Sequence, residues 1–268
     1  MLPWFQYLSY GLGPLTIQVW GSFVALGMFL GLYIVHQRAK KKGLEPQILV
    51  DAGLWMIIGG LVGARIFHVL FYEPGLYISH PFEIIRIWHG GMSSYGSFFG
   101  AGLALFLFVK KRKLSKALIF QSIDIFAYGA LFGWILGRVG CFMIHDHLGK
   151  PCNCFLAIQT PDGPRLEMAL LEILGLIPLA VFFFVLRKKK KVQGWFAAVL
   201  FAYYGILRFI LDFFRASPAD ANITSSFYIP TDARYLGLTP AQYFSILSFA
   251  VAVYLLLKMR KQETSFKD

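Results

Sequence analysis

The segment Arg208-Phe209-Ile210-Leu211-Asp212-Phe213-Phe214-Arg215 sets three charges in an otherwise apolar stretch. Spacings of four and then three put Arg208, Asp212 and Arg215 on one face of a helix. Other apolar stretches carry Arg65, Glu172, and Arg138 within Gly137-Arg138-Val139-Gly140. Ionisable groups in such surroundings are costly and by default mark function. The chemistry that clustered arginines do best is anion binding. The guanidinium fork takes phosphate bidentately and stays charged at any relevant pH. A snorkelling arginine or a structural ion pair accounts for any single member equally well. The whole set, drawn from four parts of the chain, is better explained by one shared anionic ligand. Asp124 stands apart and reads as a structural partner.

A second concentration of reactive side chains is Cys141, His145, Asp146, His147, Cys152 and Cys154, all within fourteen residues. The spacing matches no standard zinc pattern. Ordinary loop residues are the leading expectation, with a disulfide between two of the cysteines or a bound metal as alternatives. Three cysteines in the chain, an odd number, exclude a fully paired framework. No metal and no cofactor is expected.

The elements that must position these residues are membrane spans. Of 268 residues, 57% are hydrophobic and only 15% charged, against about 25% charged in soluble domains. A span needs roughly 20 apolar residues, and seven stretches qualify, at about 15–36, 49–72, 93–109, 118–144, 168–186, 195–215 and 241–257. Gly59-Gly60-Leu61-Val62-Gly63-Ala64 suits close helix packing. The net charge of +12 sits largely in runs after every second span, at Arg38 to Lys42, Lys110 to Lys116, Arg187 to Lys191 and Lys258 to Lys261. In a soluble protein such a charge would suggest nucleic acid; here it is a topology signal, and no nucleic-acid partner is expected. Basic loops are cytoplasmic, so all four runs put the N-terminus outside and the C-terminus in the cytoplasm. The first basic residue is Arg38, so no signal peptide is expected. The expected fold is all-α, one polytopic domain over 1–268, with outer loops at 73–92, 145–167 and 216–240. Arg65, Arg138, Glu172 and Arg208 then fall in the outer halves of their spans, Arg208 on the order of 10 Å deep. Phospholipid head groups are the abundant phosphates at that depth.

Five motifs, in order along nearly the whole chain, resemble the prolipoprotein diacylglyceryl transferase family. They are Gly63-Ala64-Arg65-Ile66 with Val69-Leu70-Phe71-Tyr72; Gly90-Gly91-Met92-Ser93-Ser94-Tyr95-Gly96; Gly137-Arg138-Val139-Gly140 with Phe142; Arg208 to Arg215; and Gln242-Tyr243 with Ser245-Ile246. The resemblance implies a seven-span enzyme of the bacterial inner membrane. Such an enzyme moves a diacylglyceryl group from phosphatidylglycerol to the lipobox cysteine of a preprolipoprotein signal peptide, and glycerol phosphate leaves. It also implies roles. Arg138 and Arg208 would hold the phosphate, Asp212 would orient Arg208, and Arg215 would support the rim. Gly90 and Gly91 would admit the lipid to the backbone. Arg65, Ser93, Asp146 and Glu172 complete the expected binding set.

Several positions depart from the family pattern. Tyr95 stands where the family commonly has His, and a phenol of pKa about 10 is a poor base unless arginines lower it. Cys141 replaces an Asn, and Asp146 and Asp212 replace Glu. Leu166-Glu167 replaces His-Pro, and Ala169-Leu170-Leu171-Glu172 stands for the Gln-Leu-Tyr-Glu that follows, with Glu172 surviving. Tyr95 is the first candidate for the thiol's base, with a plain structural hydrogen bond as its alternative reading. His89, otherwise an interfacial histidine, is the second. A relative with another lipid donor or acceptor, and a non-catalytic anionic-lipid binder, are the alternatives to the transferase.

Overall fold

Each apolar stretch becomes a helix in the computed structural model, which describes residues 1–13, 15–71, 74–87, 91–189, 192–216 and 234–265. The helices are α1 (Val19–Lys41), α2 (Pro46–Phe71), α3 (Pro74–Ser79), α4 (Ser94–Arg112), α5 (Lys116–Ile144), α6 (Met168–Leu186), α7 (Trp195–Leu211) and α8 (Pro240–Ser265). Among the described residues six are long and apolar enough to cross a membrane: α1, α2, α5, α6, α7 with its extension to Phe214, and α8 over Pro240–Leu257. α4 opens on Ser94-Tyr95-Gly96-Ser97 and closes on Lys110-Lys111-Arg112, which shortens its apolar run. Phe29, Phe106, Val185 and Leu257 are among many large apolar side chains left exposed, as a lipid solvent requires.

The contacts fall into two compact units, Val35–Ser122 and Met1–Ile34 with Ile123–Asp268. Within Val35–Ser122, α2 and α4 meet through glycine. A Cβ on Gly63 would overlap the carbonyl oxygen of Gly96, and one on Gly100 that of Gly59. Backbones this close gain dispersion contact that lipid cannot supply. Ser93 starts α4, its hydroxyl accepting from Gly96 N–H at 3.3 Å while its own N–H donates to Ala64 on α2 at 3.0 Å.

In the other unit, Tyr128, Leu131, Leu176, Leu179, Phe183 and Phe196 form a core shared by α5, α6 and α7. Asp124 takes the structural part expected of it. Its carboxylate accepts from Gly194 N–H at 2.9 Å and Ala197 N–H at 3.0 Å, capping α7 from a neighbouring helix. The cap is needed because Gly194, at φ 91°, has no side chain of its own to do it.

Two segments differ from expectation. The first helix begins at Val19 rather than near residue 15, because β1 (Ser9–Leu12) and β2 (Leu15–Gln18) pair first as a hairpin. The expected loop 145–167 contains a three-stranded antiparallel sheet, β3 (Leu148–Pro151), β4 (Ala157–Thr160) and β5 (Gly163–Glu167), ordered β3-β5-β4. Thr160 pairs with Gly163 across Pro161-Asp162, with Gly163 at φ 111°. The inward face of β5 carries Arg165 and Glu167, so the apolar alternation that announces a strand is missing.

Candidate functional site

Glu172 enters the site from the second turn of α6, and its side chain is 1% exposed. A bare carboxylate there would be prohibitive. Four donors satisfy it. Oε2 accepts from Arg138 of α5 at 2.9 Å and from Arg208 of α7 at 3.1 Å. Oε1 accepts from the Trp134 indole at 2.8 Å and the Tyr204 hydroxyl at 3.2 Å. Trp134 precedes Arg138 by four residues and Tyr204 precedes Arg208 by four, so each helix presents an aromatic donor and an arginine on one face.

The contacts run on along α7. Arg208 Nη2 lies 3.2 Å from Asp212 Oδ1, and Arg215 Nη1 lies 3.6 Å from the same oxygen. The helix ends at Leu211 and tightens into a 3₁₀ turn over Asp212–Phe214, leaving Arg215 extended. Thr239, just before α8, donates its hydroxyl to Asp212 Oδ2, while Gln242 accepts from Thr239 N–H at 3.0 Å. Three guanidinium groups thus share two buried carboxylates and leave an excess positive charge. Arg138 and Arg208 keep 18% and 13% of their side-chain surface open. The arrangement can bind an anion between two arginines whose orientation one buried carboxylate fixes.

Asp146, expected in the binding set, pairs with His147 at 3.0 Å. Burial alone would raise its carboxyl, but that contact and the charge of Arg138 hold it below the usual carboxylate range. Cys141 is free and buried, its sulfur 3.6 Å from Arg138 Nη1. Cys152 and Cys154 are joined by a disulfide between β3 and β4, so ordinary loop residues is the wrong description for that pair. The described residues hold no group of three His, Cys, Asp or Glu side chains arranged for a metal.

Arg65, Gly91 and Ser93 gather in the unit Val35–Ser122. Arg65 donates to the carbonyls of Ile84 at 2.9 Å, Gly91 at 2.9 Å, Arg86 at 3.3 Å, and Glu83. It therefore secures the segment that leads to the Gly90-Gly91 motif. Gly91 sits at φ 74°, and a Cβ there would lie 2.7 Å from Arg65 Nη1, so both backbone and space demand glycine. His89 and Gly90 lie outside the described residues, as does the side chain of Tyr95, which the backbone places in the first turn of α4.

The sequence pattern of prolipoprotein diacylglyceryl transferases matches this chain over residues 8–258. The chain belongs to that family. It is 32% identical over 268 residues to the phosphatidylglycerol–prolipoprotein diacylglyceryl transferase of Aromatoleum aromaticum, covering 96% of this chain and 97% of that one. The enzyme of the same name from Nitrosomonas europaea is 30% identical over 95% of this chain and 90% of its own length. That of Staphylococcus xylosus is 29% identical over 97% and 92%. Within this diacylglyceryl transferase, Arg138, Glu172, Arg208, Asp212 and Arg215 form one continuous network, of which spacing predicts only the alignment of Arg208, Asp212 and Arg215. The spacing rule that aligned Arg208 with Asp212 also reaches Trp134 and Tyr204, which sequence reasoning overlooked because neither is charged. His145 with Glu167, a further buried pair, was hidden by their separation in sequence.

Proposed function

We propose that this transferase joins the diacylglyceryl group of phosphatidylglycerol to the lipobox cysteine of a preprolipoprotein signal peptide, with the Arg138–Glu172–Arg208 cluster as its phosphate site. The cysteine sulfur attacks the glyceryl carbon that bears the phosphate. A carbon–sulfur bond forms, the carbon–oxygen bond breaks, glycerol phosphate leaves, and a base takes the thiol proton. Charge develops on the departing phosphate, and fixed guanidinium groups stabilise it without reorganising. The observation that carries this reading is the buried Glu172 holding two arginines from separate helices. Mixing the protein with labelled phosphatidylglycerol and a lipobox peptide, then separating lipids and peptide by thin-layer chromatography, tests it. The label should pass to the peptide; a label that stays in phospholipid argues for a binding protein only.

This reading places the site at the outer leaflet of a bacterial inner membrane, in one seven-span domain that counts α4 as a span. Supporting this, the basic runs close α1 and α4 and follow α6. Reporters fused after Lys113 or Lys261 should be cytoplasmic and one at Ser225 external. A cytoplasmic Ser225 would put the site on the wrong side.

Tyr95 serves as the thiol's base in this reading. Rate should then rise with pH until the phenol is ionised. Tyr95→Phe should lose most activity, while Tyr95→His, with a base of pKa about 6.5, should keep a substantial part with a lower optimal pH. Full activity in Tyr95→Phe would move the base elsewhere, with His89 first in line.

A further inference from the structure

Five residues before Glu172 stands a second buried carboxylate with a different partner. Glu167 Oε2 accepts from Leu170 N–H at 2.6 Å and so caps the first turn of α6. Its other oxygen faces Nδ1 of His145 at 3.7 Å, and both side chains are fully buried. Burial pushes the Glu167 carboxyl up, an effect that His145 and the Leu170 N–H partly offset.

His145 is the residue after α5, and its backbone is left-handed at φ 51°. That conformation is costly without glycine and persists only where the surroundings over-determine it. Here the imidazole is held by aromatic rings. Trp4 stacks on it with centroids 4.9 Å apart, Phe5 meets it edge-on at 4.7 Å and Phe142 at 5.5 Å. The N-terminal segment bearing Trp4 and Phe5 is itself tied down. Tyr7 N–H donates to Met143 at 3.0 Å, the Gln6 amide to Ile144 at 2.9 Å, and Leu2 N–H to Ala157 of β4 at 2.8 Å.

α5 and α6 are therefore linked twice, by Arg138 with Glu172 inside the helices and by His145 with Glu167 at their facing ends. One contact leaves two helices free to slide and tilt about it. A second, about 10 Å along α5 at 1.5 Å per residue, fixes their register. We propose that His145 and Glu167 are positioning residues that set α6 against α5, so that Glu172 holds the Arg138 guanidinium as a lipid phosphate needs it. The inference rests on the phosphate-binding reading of Arg138.

The test uses the full-length protein in mixed micelles containing phosphatidylglycerol, with a fluorescent lipobox peptide. Glu167→Gln keeps the size and leaves an amide oxygen to accept from Leu170 N–H, removing only the charge. His145→Asn tolerates the left-handed backbone and shortens the reach. Each should raise KM for phosphatidylglycerol at least fivefold and leave KM for the peptide unchanged. The double variant should be no more than twofold worse than the poorer single one, since both break one contact. A purely structural role would lower kcat with the folded fraction and move neither KM. That outcome, or an unchanged KM for the lipid in Glu167→Gln, overturns the proposal. Should His145→Asn not fold, His145→Gly, which suits φ 51°, takes its place. Arg138→Lys runs alongside. If it too leaves the lipid KM unchanged, the phosphate reading has failed; if it alone raises that KM, only the positioning role has.

Discussion

Arg138→Lys and Arg208→Lys are each expected to lower transfer at least tenfold, about 1.4 kcal/mol of barrier, while the protein still inserts into the membrane. Arg208 shows why charge alone is not enough. One terminal nitrogen is 3.1 Å from Glu172 and the other 3.2 Å from Asp212, so the planar fork spans two carboxylates. A lysine ammonium is a point charge that can serve one of them. It would leave the other buried carboxylate short of a donor and no aligned pair of N–H groups for phosphate. Arg138 differs in detail, its guanidinium lying 5.5 Å from the Trp134 ring centre, a stack that lysine does not reproduce. The measurement is the initial rate of labelled diacylglyceryl transfer to a lipobox peptide at equal amounts of inserted protein. Near-normal rates in both variants would rule out bidentate phosphate binding.

Glu172→Gln should cost more in folding than any exposed change. The amide keeps the shape but gives up the charge that offsets two arginines, and one of its two heads becomes a donor facing donors. Removing one partner of a buried ion pair costs about 3–5 kcal/mol, because the remaining charge stays buried and unpaired. Unfolding in detergent should therefore shift strongly to lower temperature, and transfer should be lost with it. Glu172→Asp should fall between, since the shorter side chain cannot reach Trp134, Tyr204, Arg138 and Arg208 together. Wild-type unfolding of Glu172→Gln would mean that the carboxylate is not the centre of the cluster.

The membrane architecture and the charged network were legible because both rest on strong local signals. Apolar runs of about 20 residues have few soluble explanations, and Arg208 with Asp212 obeys the helical spacing rule. Arg138 and Glu172 were legible as members of one set but not as direct partners, since no local rule connects positions on different helices. The sheet over Leu148–Glu167 was not legible. Two of its inward residues, Arg165 and Glu167, are charged, and beside the turn signal Pro161-Asp162-Gly163 the only apolar run is the short Phe155-Leu156-Ala157-Ile158. Arg65 shows what residue type leaves open. Its burial was foreseen, but a guanidinium can be consumed by backbone carbonyls as well as by a ligand, and residue type does not distinguish the two.

The glycine contact between α2 and α4 has a mechanical consequence. Helices that meet through side chains can shear, because rotamers change and the interface repacks. At Gly59, Gly63, Gly96 and Gly100 backbone lies against backbone, so sliding there is blocked more firmly than at the aromatic contacts beside them. Arg65 attaches the backbone at Glu83, Ile84, Arg86 and Gly91 to the same body. The pair and those residues should move as one stiff piece. Compliance for admitting a two-chained lipid and a peptide must then come from helices whose contacts are made by longer side chains.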